Sequence, residues 1–139
     1  MSDIRFDTGL KTFSLNGAIE VCFNPTDVEF AQKVYDTFDS LDKKQEYYKE
    51  EVKKIAGTTK VFDFARERDA EMRTMIDGVF GCPVCDAVFG KMNVYALADG
   101  LPVWCNLMLA VIDEVSGGLS EADEQQKKRM AEYTKKYKR

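Results

Sequence analysis

The chain has 139 residues and is 45% hydrophobic, 12% aromatic and 32% charged, a composition that suits one folded domain with a real core and excludes a disordered or fibrous chain. It contains no histidine, which excludes Ser-His-Asp and Cys-His nucleophilic pairs, histidine proton shuttles and every histidine-containing zinc site. The net charge of −4 divides into −7 over residues 1–120 and +3 over residues 121–139, an acidic body with a mildly basic end and no footprint for nucleic acid.

The first residues, MSDIRFDTG, lack the apolar core of a signal peptide. The longest apolar stretch, Leu101 to Ile112, is broken by Asn106 and is too short to span a bilayer. The expectation is a cytoplasmic protein without membrane contact, whose Cys22, Cys82, Cys85 and Cys105 stay reduced.

Residues 10–15 and 18–23 flank Asn16-Gly17, a pair suited to a two-residue type I′ turn because both positions take positive φ. With Leu15 opposite Ala18, one hairpin face collects Leu10, Thr12, Ser14, Ile19, Val21 and Phe23. Residues 5–8 add a short strand at most. A lone hairpin is marginal in water, so it must lie on helices or on strands of another chain.

Asn24-Pro25 ends the second strand, and Thr26 to Glu29 fits a capping box with Thr26 as N-cap. The spacing predicts a helix over 27–56, with Gly57 as its stop. Val34, Phe38, Leu41, Tyr48, Val52 and Ile55 recur on an a/d seam that Gln45 interrupts. That seam must meet a second helix, in this chain or in a partner.

A second helix is predicted over 61–79. Its stripe of Phe64, Ala65, Met72, Met75, Ile76 and Val79 is flawed by Arg68, and Asp69 and Arg73 form an exposed pair. A short connection makes the first two helices antiparallel. Two Phe-Gly stops, Phe80-Gly81 and Phe89-Gly90, bracket a short helix over 83–89. Residues 91–100 read as irregular. Asp99-Gly100-Leu101-Pro102 opens a helix over 101–115, apolar nearly all round and therefore the buried centre. Gly117-Gly118 ends it. Ser120 caps a charged tail over 120–139 that is helical or disordered and projects from the body.

The fold class expected is thus mainly α with an N-terminal antiparallel β-hairpin, an α+β protein with a long antiparallel helix pair and a buried central helix. Residues 1–119 make a single domain.

The Cys82-Pro83-Val84-Cys85 stretch carries three readings. A redox site needs a thiolate, and Cys82 precedes a helix start that would favour one, but the motif follows a helix where a thioredoxin-like setting needs a strand. A zinc site needs four ligands, and a second cysteine pair at this spacing is absent. A structural corner needs only that Gly81 stop one helix and Pro83 start the next, with small cysteines filling the angle. The corner reading outweighs the other two; Cys82 and Cys85 remain the alternative thiol or zinc site. The carboxylates Asp63, Glu67, Asp69, Glu71 and Asp77 read as a solvated helix face, and no Gly-rich phosphate loop is present. No catalytic residue, cofactor or metal site is expected.

One pattern extends across residues 10–115. A hairpin from Phe13-Ser14-Leu15-Asn16-Gly17 to Val21-Cys22-Phe23 is followed by long helices, then Asp69-x6-Ile76-Asp77-x2-Phe80-Gly81, a second Val88-Phe89-Gly90, and an apolar helix before a charged tail. This resembles the small tail assembly chaperones encoded in tail gene clusters of long-tailed phages and prophages of Gram-positive bacteria. The resemblance implies a non-enzymatic protein of the bacterial host cytoplasm, absent from the mature virion. It implies binding to the tape measure protein, whose long apolar helices are kept soluble, and recruitment of tail tube subunits. It carries no catalytic residues, and Cys82 and Cys85 lie outside the pattern. A chaperone for helical clients needs exposed apolar surface, so the hairpin edge and the seam residues Val34, Phe38, Leu41, Tyr48, Val52 and Ile55 are the expected partner-binding surface, with homo-oligomerisation as a second use of it.

Overall fold

The computed structural model describes residues 1–137. It is mainly helical with an N-terminal antiparallel hairpin, as the sequence predicts. Strands β1 (Lys11–Leu15) and β2 (Ile19–Phe23) form that hairpin, and α1 (Val28–Val52) and α2 (Thr58–Phe80) follow. After α3 (Val84–Phe89) comes a second, minimal hairpin of β3 (Leu97–Ala98) and β4 (Leu101–Pro102), and then α4 (Val103–Tyr137). Residues 5–8 form no strand.

The β1–β2 register places Leu15 opposite Ile19 and Phe13 opposite Val21, one position away from the register expected from a two-residue turn. Since side chains alternate with period two, that single step regroups the faces. Phe13, Leu15, Ile19, Val21 and Phe23 now share the inner face, while Thr12, Ser14, Glu20 and Cys22 face outward. Asn16 and Gly17 do take positive φ, and the Ala18 amide donates to the Leu15 carbonyl, so the turn itself forms. Ala18 is left out of the ladder. The hydrophobic pattern, being half-buried, decides the register.

Asn24 organises the passage into α1. Its side-chain oxygen accepts from the Thr26 amide and hydroxyl, and its carbonyl accepts from the Asp27 amide. Thr26 is thereby occupied, and Asp27 is the N-cap, accepting from the Glu29 amide at 3.0 Å. The helix ends at Val52, and Gly57 begins α2 instead of closing α1.

Side-chain contacts fix the helix directions. Phe30 meets Phe80, while Tyr48 meets Phe64, so α1 and α2 are antiparallel. Phe38 and Gln45 meet Trp104 near the start of α4, while Pro25, just before α1, meets Gly118 far along it. Therefore α4 also runs antiparallel to α1, and α1 lies between the two. A stacked series, Phe13–Phe23 at 4.3 Å and Phe23–Phe30 at 4.2 Å between ring centres, docks the hairpin on the end of this helix layer.

Three expectations about the last helix are overturned. Asp99-Gly100 is a turn with both residues at positive φ, so Leu101 and Pro102 belong to a hairpin and α4 starts at Val103. Nor do Gly117 and Gly118 end the helix, which runs on to Tyr137 and makes the charged tail continuous with the body. Gly118 is needed where it is, because a Cβ there would overlap the Pro25 ring. Val103, Trp104, Leu107, Met108, Val111 and Val115 are buried, but Leu109 and Ala110 are exposed, so α4 is not apolar-packed all round.

Candidate interaction surface

The seam of α1 is used inside the chain. Val34, Leu41 and Tyr48 are buried against α2 and α4, and Phe38 packs on Trp104 at 5.5 Å between ring centres. Val52 and Ile55 are half-buried. Of the six residues expected to offer a partner-binding surface, Val34, Leu41 and Tyr48 are closed to a partner by their burial and Phe38 is covered by Trp104, while Val52 and Ile55 keep part of their surface open. Gln45, the polar break in the stripe, accepts the indole N–H of Trp104 at 3.0 Å, which satisfies a donor that burial would otherwise orphan.

Arg68, the flaw in the α2 stripe, lies over the Tyr95 ring at 3.9 Å and the Tyr48 ring at 5.2 Å. Desolvation lowers its affinity for its proton, and the two tyrosines oppose that shift. Tyr48 donates to Glu71, which holds the Glu71 carboxyl below the usual carboxylate range. The Tyr95 hydroxyl donates to the Ala65 carbonyl.

Asp69, Arg73 and Asp77, spaced i, i+4 and i+8, are not a solvated face. The Arg73 side chain is only 13% exposed. Its guanidinium donates to Asp69 and Asp86, each at 2.8 Å, and to the carbonyls of Gly90 and Met92. Asp69 also accepts from the Val94 amide at 2.7 Å, and Asp77 accepts from the Cys85 amide at 2.9 Å. One edge of α2 thus holds α3 and the irregular segment after it. Sequence reading missed this role; the visible signal was the i, i+4, i+8 spacing alone.

The two cysteines of the Cys82–Cys85 stretch are both free thiols. Cys85 is fully buried, and desolvation first, then the neighbouring Asp77, pushes its thiol well above the ordinary range. Such a thiol is a poor nucleophile at neutral pH. Gly81 ends α2 in the left-handed conformation and Pro83 precedes α3, the geometry of a corner. Among the described residues, no three histidine, cysteine, aspartate or glutamate side chains gather as a metal site.

Open apolar surface lies elsewhere. A groove of about 420 Å³ runs between the inner face of the hairpin, the end of α3 and the first three turns of α4. Phe13, Leu15, Val88, Phe89 and Leu107 form its walls, and Glu114 is its one charged lining residue. Ala110, exposed on α4, borders it with no side chain beyond Cβ. It arises because the hairpin is seated on Phe30 of α1 and leaves the facing side of α4 uncovered. The first turn of α4 is fixed from below: the Val103 and Trp104 amides donate to the Ala96 and Val94 carbonyls, and Asn106 donates to the Ala98 carbonyl. The groove therefore has a rigid wall.

Comparison with protein-family models, with curated proteins and with solved structures yields no match for this chain. Among the described residues, no helix is long and apolar enough to cross a membrane.

Proposed function

We propose that this chain is a non-enzymatic assembly chaperone that holds apolar segments of other proteins, with the tape measure protein and tail tube subunits of a long-tailed phage as its clients. The observation that carries the reading is the groove: an open, rigid-walled, mostly apolar concavity of about 420 Å³, of the size that accommodates a few large side chains. Its polar lining is limited to Ser14, Asn16, Asn106 and Glu114, a set suited to orienting a peptide and poorly suited to bond making. The resemblance described above supplies the client class. The client contact lies in the groove and not on the α1 seam.

Co-expression with a tape measure protein tests the reading. The soluble fraction of the client rises several-fold with this chain, and the gain is lost in Ala110→Trp, which fills the groove from an exposed position. A client that precipitates equally with and without the chain overturns the proposal.

A further inference from the structure

Two features remain unused once the fold is built. One is the N-terminal arm, residues 1–9, which enters no sheet and leaves Ile4 83% and Phe6 79% exposed. The other is the groove. Ile4 and Phe6 are two positions apart, so an extended arm presents both on one side. Arg5 lies between them, and its partner is Asp3 at 2.8 Å, a pair so exposed that it constrains Arg5 little. The groove offers apolar walls for two such side chains and one carboxylate, Glu114, for the cation.

The arm does not fill the groove of its own chain. The Asn24 side chain donates to the Thr8 carbonyl at 3.0 Å, and Gly9 is held against Asn24 at φ +75°. The arm therefore leaves from the base of the hairpin with Asp7 and Gly9 beside Gly118, Glu121 and Ala122 of α4, and Ile4 and Phe6 stay outside the groove. The outer edge of β1 is also open, since β2 is its one neighbour in the sheet among the described residues.

We propose that a second copy of this chain places residues 3–8 of its arm in the groove, with Ile4 and Phe6 against the apolar walls and Arg5 at the rim facing Glu114. The exchange is reciprocal and gives a two-fold dimer. Two arms, each burying an aromatic and a branched aliphatic side chain and covering the walls beneath them, remove on the order of 1,200 Å² from water, the lower end of a specific interface. The assignment uses the groove proposed above as a peptide site, but a groove that binds no phage client still holds the arm, and the measurement reads mass alone.

Sedimentation equilibrium of the full chain gives the test. The wild type has twice the mass of one 15.8 kDa chain. The arm variant Ile4→Asp with Phe6→Asp, and the groove variant Ala110→Trp, each sediment as single chains. Mixing them at high concentration gives a two-chain species weaker than the wild type, because a single intact arm then meets a single intact groove. Should Ala110→Trp fail to fold, Glu114→Arg takes its place and weakens the dimer at least tenfold. A monomeric wild type, an arm variant that stays dimeric, or a mixture that associates no more than either variant alone at the highest concentration overturns the proposal.

Discussion

The corner around Arg73 and the groove beside the hairpin are both places where a short element sits on a long helix, yet they are closed in opposite ways. At the corner, α3 and residues 90–94 are held by one guanidinium and two carboxylates from a single edge of α2. At the groove, the hairpin docks on α1 through the Phe23–Phe30 stack and faces α4 across the open cavity. Directional bonds to backbone groups can order a segment that has little apolar surface of its own. Apolar contact without such bonds leaves surface over wherever the shapes do not match. The first region is built to stay shut, and the second is available.

The strongest way to break that contrast is Arg73→Met. It removes four hydrogen bonds and leaves Asp69, itself mostly buried, without its counter-charge; the expected loss is about 3–5 kcal/mol, read as a shift in urea midpoint. Arg66→Ala is its control: the Arg66–Asp63 pair lies mostly in solvent, and the change stays within about 0.5 kcal/mol. Next in size is Gly118→Ala, which drives a methyl into Pro25 and costs about 1–3 kcal/mol despite the better helix propensity of alanine. Gly117→Ala, one residue away with nothing near its Cβ position, stabilises by about 0.5–1 kcal/mol. Gln45→Ala leaves the buried Trp104 N–H without an acceptor and costs about 1–2 kcal/mol.

A smaller effect is read against pH. The folded state keeps the Cys85 thiol protonated above its ordinary value of 9.0, because burial and Asp77 disfavour the thiolate. Above that pH the unfolded chain releases the proton while the native chain retains it, so stability is intact below pH 9 and declines as pH rises. The urea midpoint therefore falls between about pH 8 and about pH 10, and Cys85→Ala flattens that slope. The smallest stability effect sharpens the contrast from the other side. Ala110→Trp, at the open groove, changes stability by about 0.5 kcal/mol or less while abolishing client and arm binding.

Much of the fold was legible because its signals are local. Asn16-Gly17 marks the hairpin, and the apolar spacing of α1 and α2 marks two helices that cover one another. Asp99-Gly100 carries the same turn signal, but its strands are two residues long, so no alternation flags them and Pro102 reads as a helix start. Gly117-Gly118 reads as a stop because propensity is all that sequence offers there; the approach of Pro25, ninety-three positions earlier than Gly118, is what makes glycine fit inside a helix. The α1 seam announces burial without naming the covering partner. The roles of Asp69, Arg73 and Asp77 were hidden for a different reason: most of their partners are backbone groups, which have no letter in a sequence. The groove needs three elements from distant parts of the chain and has no local pattern at all.

The unbroken path of α4 has a mechanical consequence. Its first turns form one wall of the groove, and about nineteen residues beyond Gly118 extend it by roughly 28 Å of rigid rod. Any tilt imposed where a guest side chain wedges between hairpin and helix is magnified along that rod, so a ten-degree pivot carries its far end by about 5 Å. A pair of fluorophores, one on the hairpin and one near Ala131, would turn occupancy of the groove into a distance change.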